Sequence, residues 1–488
     1  MSDNSYVVFR VDGDALIGLG HIMRCLTLAD LLSNKGFKIL FICTDPRDSI
    51  VDLIESKQYE LKVIKYHLTI HKEDTYECLK IIDGFDVSML IVDHYQLDEE
   101  WEIECSKKVN KVMVIDDLAN RKHYCDYLLD SSYGRINADY EHLTHSDCRL
   151  LLSTDYCLLR PEFHQLRNEA VIIRKNTHVI NSVLLNFGGT DHKNLSAFTI
   201  RRLVELQFFG EIHLLISSVS EHIGELEKLT KNMKNIWLHI DEKNVAQLML
   251  NTNLAIGSVG TSSWERCCLG LPSIGLVVAS NQSNIATRLS QQGAMLLTDT
   301  ESLKDDLNLV LSDRALNKWH QMSESAFATC DGLGGARVLN NIMDAPAAIT
   351  LQAMSVNEEA LLLTWQSEAG NRKYSRNTHT PNIDEHKLWF AASLMNPKRR
   401  MWLVIFEGQK CGYVRLDVLN TREEVSVLIS QQFRKLGLAY AAINELKTLI
   451  LYGVMGAEVS PDNKASCSLF NKLGFTRVST SRYQWVDS

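Results

Sequence analysis

Short apolar runs, each closed by polar or turn residues and followed by a helix-like stretch, recur along most of this chain. Between residues 5 and 160 they are YVVFRV, KILFIC, VSMLIVD and KVMVIDD. Near-continuous hydrophobic runs alternating with helices pair in parallel through βαβ crossovers and are buried on both faces. After RPEF interrupts the pattern at 160–163, a second series follows: SVLLNFGG, EIHLLIS, NIWLHI, TNLAIGSVG and PSIGLVVA. The expected fold is therefore α/β, with two consecutive Rossmann-like domains. Their strand C-terminal ends, and so their glycine-rich loops, face each other across a cleft suited to a nucleotide-linked ligand.

Near residue 345 the register changes, and DAPAAITLQAMS reads as a linker. Beyond it, RMWLVIFEGQKCGYVRLDVL suggests two strands around a turn at Gly408, and further strand and helix patterns make this a mixed α/β module. The domains are expected at 1–165, 166–345 and 350–488, in keeping with a chain of 488 residues at about 150 per domain. A formal charge of −9 provides no general attraction to nucleic acid, so an anionic ligand must be held by local devices. No run approaches the roughly 20 apolar residues that cross a bilayer, and MSDNSYVVFR lacks an export pattern. The chain thus reads as cytoplasmic, without membrane insertion. Its twelve cysteines form no C-x-x-C pair and are expected to be reduced.

The loop after the first strand, with Gly18, Gly20 and His21, imitates a dinucleotide fingerprint, but Met23 stands where the third glycine belongs. What survives is physical: two glycines allow close backbone approach, and the helix starting near His21 offers free N–H groups. Positive potential at a helix start disfavours imidazolium, so His21 is expected to be neutral and able to accept a proton. Capping the helix or packing in the core would be the plainer uses of a histidine there.

Arg10, Asp12, Gly13, Ile17, Gly18, Gly20, His21, Arg24 and Cys25 together resemble the signature of the UDP-2,4-diacetamido-2,4,6-trideoxy-β-L-altropyranose hydrolases. The resemblance extends over residues 1 to about 345 and implies a GT-B arrangement and a role in pseudaminic acid biosynthesis. It implies that His21 activates water for attack at the anomeric carbon with inversion, and that Arg10, Asp12, Gly18, Gly20 and Arg24 serve the substrate. Tyr95, in Asp93-His94-Tyr95, is a sugar or water contact in this view, and Asp116 and Asp117 could orient the sugar. Carboxylates at strand ends are as often turn residues.

On the nucleotide side, Gly188 and Gly189 follow one strand of the second series, while Gly260 and Thr261 follow another and precede a helix. Backbone amides and hydroxyls there can hold a pyrophosphate without a lysine. The resemblance implies that Glu265 accepts hydrogen bonds from ribose hydroxyls and that Asn281 and Gln282 contact the diphosphate or sugar. No metal is expected.

In the third module, Arg434, Gly437 and Ala439 fit the R/Q-x-x-G-x-G/A pattern of the GNAT acetyltransferases, and Asn463 to Phe475 resembles their second coenzyme helix. Acetyl-CoA is the implied co-substrate, bound by Arg434, Gly437, Ala439 and Asn463. The stretch from Trp365 to Phe390 resembles amino-sugar acetyltransferases, implying acetylation of the 4-amino group of the hydrolase's precursor; Trp365 and Trp389 are pocket or core residues. Phe470 stands where the family often has a proton-donating tyrosine, leaving water, Ser468 or another group to protonate the thiolate. Other readings remain open: an inverting UDP-sugar glycosyltransferase with an appended acetyltransferase, or a hydrolase for a stereoisomeric sugar with a non-catalytic GNAT module.

Overall fold

A computed structural model of the chain describes residues 5–13, 20–64, 71–279, 282–312, 315–343, 348–419 and 422–486. The chain divides into two compact units, Met1–Leu339 and Asn340–Ser488. The first unit holds two parallel sheets. In one, β1 (Tyr6–Val11), β2 (Lys38–Thr44), β3 (Glu60–Ile64), β4 (Val87–Asp93), β5 (Val112–Ile115), β6 (Tyr127–Asp130) and β7 (Arg149–Leu152) lie in the order 3-2-1-4-5-6-7. In the other, β8 (Ser182–Asn186), β9 (Glu211–Ile216), β10 (Ile236–Ile240), β11 (Leu254–Ser258), β12 (Ser273–Leu276) and β13 (Leu296–Thr298) lie in the order 10-9-8-11-12-13.

Each sheet reverses its strand order once, between β1 and β4 and between β8 and β11, and open α/β sheets bind ligands at such switch points. The central strands are the apolar runs of the sequence: Val7, Val8, Phe9 and Val11 of β1 and the whole of β4 are buried. β3, whose ELKVI alternates with exposed charge, is an edge strand and carries little apolar signal. RPEF proves to be a helix start, with Pro161 in the first turn of Pro161–Asn176, where proline's missing N–H costs nothing.

The second unit has one mixed sheet in the order 14-15-16-17-18-20-19. Its strands are β14 (Thr350–Ala353), β15 (Arg399–Phe406), β16 (Gln409–Leu419), β17 (Arg422–Ile429), β18 (Val454–Glu458), β19 (Thr476–Arg477) and β20 (Arg482–Val486). All neighbours are antiparallel except β17 and β18, which pair at Glu423–Met455 and Glu424–Gly456. Beyond that point a cleft of about 1220 Å³ opens, lined by Val425 to Ile429 on one side and by Glu458, Val459 and Ser460 on the other.

Candidate active sites

The helix Gly20–Ser33 begins at the first switch point, where Val11 at the end of β1 pairs with Asp93 at the end of β4. His21 and Arg24, one turn apart on that helix, both reach the buried Asp93 carboxylate. His21 Nδ1 is 2.5 Å from Oδ1, and Arg24 donates from Nε to Oδ2 and from Nη2 to Oδ1, each at 2.6 Å. Burial by itself would push the Asp93 carboxyl up, but Arg24 and then His21 outweigh it and hold the group well below the usual carboxylate range. An ionised carboxylate only accepts, so the contact with Asp93 calls for a proton on His21 Nδ1.

Tyr95 stands edge-on to the His21 ring, centroids 4.8 Å apart, and its hydroxyl donates to Asp117 Oδ2 at 3.4 Å. Arg24 Nη1 donates to the same oxygen at 3.1 Å, while Asp117 Oδ1 is buried without a hydrogen-bond partner among the described residues. His21, Arg24, Tyr95 and Asp117 thus form one cluster. Asp93, which completes it, was not singled out as a site residue; its only signal is a carboxylate closing β4 two residues before Tyr95. Asp116 faces the other way, accepting from Arg121, Ala119 N and the Tyr140 hydroxyl at 2.8 Å each. These bonds tie it to the loop after β5 and to Tyr140, away from the His21 cluster.

Arg10 and Asp12 also differ from the ligand contacts that the sequence suggests. Arg10 has no exposed surface, and its guanidinium donates to Asp12 and Asp74 at 2.7 Å and to Thr44 Oγ1 at 2.8 Å. Asp12 further accepts from Thr44 N at 2.7 Å and faces His94 Nε2 at 3.1 Å, and Trp101 Nε1 donates to Asp74. These residues tie the ends of β1, β2 and β4 together. Burial would raise the Asp12 carboxyl, but His94 and Arg10 keep it far below its ordinary value. Gly18 lies outside the described residues.

At the second switch point Gly188, with φ at 90°, donates its N–H to Asn186 Oδ1, and Gly189 O accepts from Ser217 N. The loop after β11 carries Gly260 and the exposed Thr261 into the helix Ser262–Cys268. Gln282 shapes its rim: Oε1 accepts from Val278 N at 3.0 Å, and Nε2 lies 4.0 Å from where a Cβ on Gly260 would stand. Asn281 lies outside the described residues. Glu265 is partly exposed and paired with Arg160 at 3.3 Å; burial pushes its carboxyl up, against the pull of that arginine. Beneath the loop, Arg266 is buried and donates to Ser258 O and Ser263 Oγ, with Nη1 unpartnered among the described residues. Burial lowers this guanidinium to about 10, and the sequence motif did not flag it. The two switch points meet, since a Cβ on Gly20 would lie 3.6 Å from Thr261 Oγ1.

In the second unit, Gly437 caps the helix Leu438–Lys447 with φ at 72°, and Arg434 holds the Asn371 side chain. Arg434, Ala439 and Asn463 line the cleft between β17 and β18; Asn463 also caps the helix Lys464–Lys472, accepting from Ser466 N at 3.1 Å. Phe470 lines the cleft and packs against Phe475 and Tyr483. Trp365 is a core residue, whereas Trp389 lines the cleft. All the cysteines are free thiols. Among the described residues, no helix is long and apolar enough to cross a membrane, and no group of three or more His, Cys, Asp and Glu side chains is arranged to hold a metal.

Residues 349–476 match the acetyltransferase (GNAT) domain family. The UDP-2,4-diacetamido-2,4,6-trideoxy-β-L-altropyranose hydrolase of Campylobacter jejuni is 32% identical over 289 residues, covering 59% of this chain and 97% of that protein. An uncharacterized protein of Methanocaldococcus jannaschii is 23% identical over 502 residues, spanning 98% of this chain and 99% of its own. Among solved structures, MurG of Acinetobacter baumannii shares the fold at a TM-score of 0.50 and 12% identity, over 70% of this chain and all of that one. The chain therefore belongs to the family of UDP-2,4-diacetamido-2,4,6-trideoxy-β-L-altropyranose hydrolases, joined here to a GNAT acetyltransferase domain.

Proposed function

We propose that the chain is a cytoplasmic bifunctional enzyme of pseudaminic acid biosynthesis. The first unit hydrolyses UDP-2,4-diacetamido-2,4,6-trideoxy-β-L-altropyranose, and the second acetylates the 4-amino group of its precursor with acetyl-CoA. The observation that carries the hydrolase reading is the His21–Asp93 pair at the first switch point, facing the glycine loops of the second. His21 Nε2 takes a proton from water, Asp93 stabilises the resulting imidazolium, and hydroxide attacks the anomeric carbon with inversion. Tyr95 and the free Asp117 oxygen orient the sugar. UDP departs toward the Gly188–Gly189 and Gly260–Thr261 loops, whose amides and hydroxyls, with the buried Arg266 charge below, offset the growing negative charge. Glu265 accepts from the ribose, and Gln282 shapes the diphosphate side.

Acetyl-CoA suits the cleft that opens between β17 and β18. Its pyrophosphate meets Arg434 and the amides from Gly437 to Ala439, its thioester lies along Val425 to Ile429, and Asn463 lines the far wall. Each unit then performs one of two consecutive steps.

The hydrolase reading is tested by giving the full chain the diacetamido UDP-sugar in oxygen-18 water, without an acceptor. UDP release with label on the free sugar is expected. No release removes the hydrolase reading, release only with an added acceptor makes the enzyme a glycosyltransferase, and label on UDP moves the attack to phosphorus. Running the diacetamido isomers side by side fixes the sugar.

A further inference from the structure

The acetyl-transfer reading leaves a proton without an owner. An amino-sugar acceptor arrives as an ammonium and must be deprotonated before it can attack. His386, in the helix Ile383–Met395, is 1% exposed and lines the cleft of the second unit. Its Nδ1 is 2.8 Å from Glu359 Oε1, in the first turn of the helix Glu359–Ser367. Its Nε2 is buried and has no hydrogen-bond partner among the described residues. The ring is packed by Trp389 and Phe390, with centroids at 5.4 and 6.2 Å. Buried polar atoms without partners are few in native proteins, and one in a residue that lines a cleft calls for an explanation, a catalytic role among them.

The other charged groups around the cleft are already engaged or differently placed. Glu424 and Glu458 are both paired with Arg376, and Glu385 caps its own helix by accepting from Asn382 N. Arg399 and Arg415 pair with Asp417, and Arg372 donates to Gln366; guanidiniums do not act as proton acceptors at neutral pH. His379 is exposed. This leaves His386 as the enclosed titratable group with a ring nitrogen uncommitted among the described residues.

We propose that His386 is the general base of the acetyl transfer, with Glu359 as its positioning residue; this rests on the acetyl-transfer reading above. Nε2 takes one proton from the acceptor ammonium, and the free amine attacks the thioester carbonyl. The C–S bond of the tetrahedral intermediate breaks, and the second amine proton passes through a water to the departing thiolate, which Phe470 cannot protonate. Amide and coenzyme A leave, and the imidazolium, stabilised by Glu359, returns its proton to solvent.

The test measures thiol release by the full chain from acetyl-CoA and a UDP-4-amino-2-acetamido-2,4,6-trideoxy sugar between about pH 5 and 8, the range across which an imidazole base would show. In the wild type, kcat should fall on the acidic side through one group. His386→Gln should lower kcat by about a hundredfold and flatten that limb, with acetyl-CoA affinity by calorimetry and UDP release by the first unit unchanged. Glu359→Gln should retain part of the activity and move the limb to lower pH. Wild-type kcat in His386→Gln, or a lowered kcat with the limb intact, overturns the assignment. If His386→Gln loses acetyl-CoA affinity, the Glu359→Gln profile decides, and an unmoved limb overturns it. Failure of the wild type to acetylate the amino sugar removes the underlying reading instead, and this assignment with it.

Discussion

His21 Nδ1 and Asp93 Oδ1 stand 2.5 Å apart, and Arg24 closes on both oxygens of the same carboxylate. Asp93→Asn replaces an obligate acceptor with an amide that can donate to Nδ1, so the ring loses the tautomer that leaves Nε2 basic. UDP release should fall by about 10²- to 10⁴-fold while the KM for the UDP-sugar changes little, as read by a coupled UDP assay.

Removing the base itself separates chemistry from binding. His21→Asn should nearly abolish UDP release, with UDP affinity by calorimetry and acetyl transfer by the second unit both preserved. Hydrolysis comparable to wild type would return His21 to a capping or packing residue.

The depressed carboxyls of Asp93 and Asp12 make a statement about acid stability. Both ionise at lower pH folded than unfolded, where carboxyls titrate near 4, so their stabilisation is complete above that value and is lost as pH falls through the folded range. The unfolding temperature should be nearly level from about pH 7 to 5 and drop below about 4. Asp12→Asn should be less stable at neutral pH and lose less on acidification.

Glu265 gives a prediction confined to binding. If it receives the ribose hydroxyls, Glu265→Ala loses charge-assisted hydrogen bonds of about 1.5–3 kcal/mol, at least a tenfold weaker UDP Kd by calorimetry. Because burial raises this carboxyl, wild-type UDP affinity should begin to fall at a pH somewhat above the ordinary glutamate range, as the acceptor gains a proton.

In the second unit, Arg434→Ala should raise the KM for acetyl-CoA about tenfold without lowering kcat, because a phosphate contact binds substrate and transition state alike. Gly437→Ala meets no neighbouring atom, yet it forces a side chain into φ of 72°. About 1 kcal/mol of stability should be lost in thermal unfolding, and acetyl-CoA affinity should weaken as the helix start shifts.

The central strands and both glycine loops could be read from sequence because buried parallel strands are continuous apolar runs. Edge strands such as β3 and the three-residue β13 lack that signature. Local motif reading picks out His21, Arg24, Tyr95 and Asp117, which the structure brings together, but not the charge partner that joins them, since Asp93 lies 72 residues from His21 in the chain. Arg10 looked like a ligand contact for the opposite reason. A motif position does not reveal whether its side chain turns toward the cleft or inward to Asp74 on the helix His71–Ile82. The pairing of His386 with Glu359 across two helices was equally invisible.

The meeting of Gly20 with Thr261 couples the two halves of the first unit mechanically. A methyl group at position 20 would sit in ordinary contact with Thr261, 3.6 Å from Oγ1 and 3.7 Å from Cγ2, so a larger side chain there would press on residue 261. The two positions come from opposite halves of the first unit, 241 positions apart in the sequence. Gly20→Val should therefore cost stability that Thr261→Gly partly restores, a coupling that a double-mutant cycle in thermal unfolding reads directly.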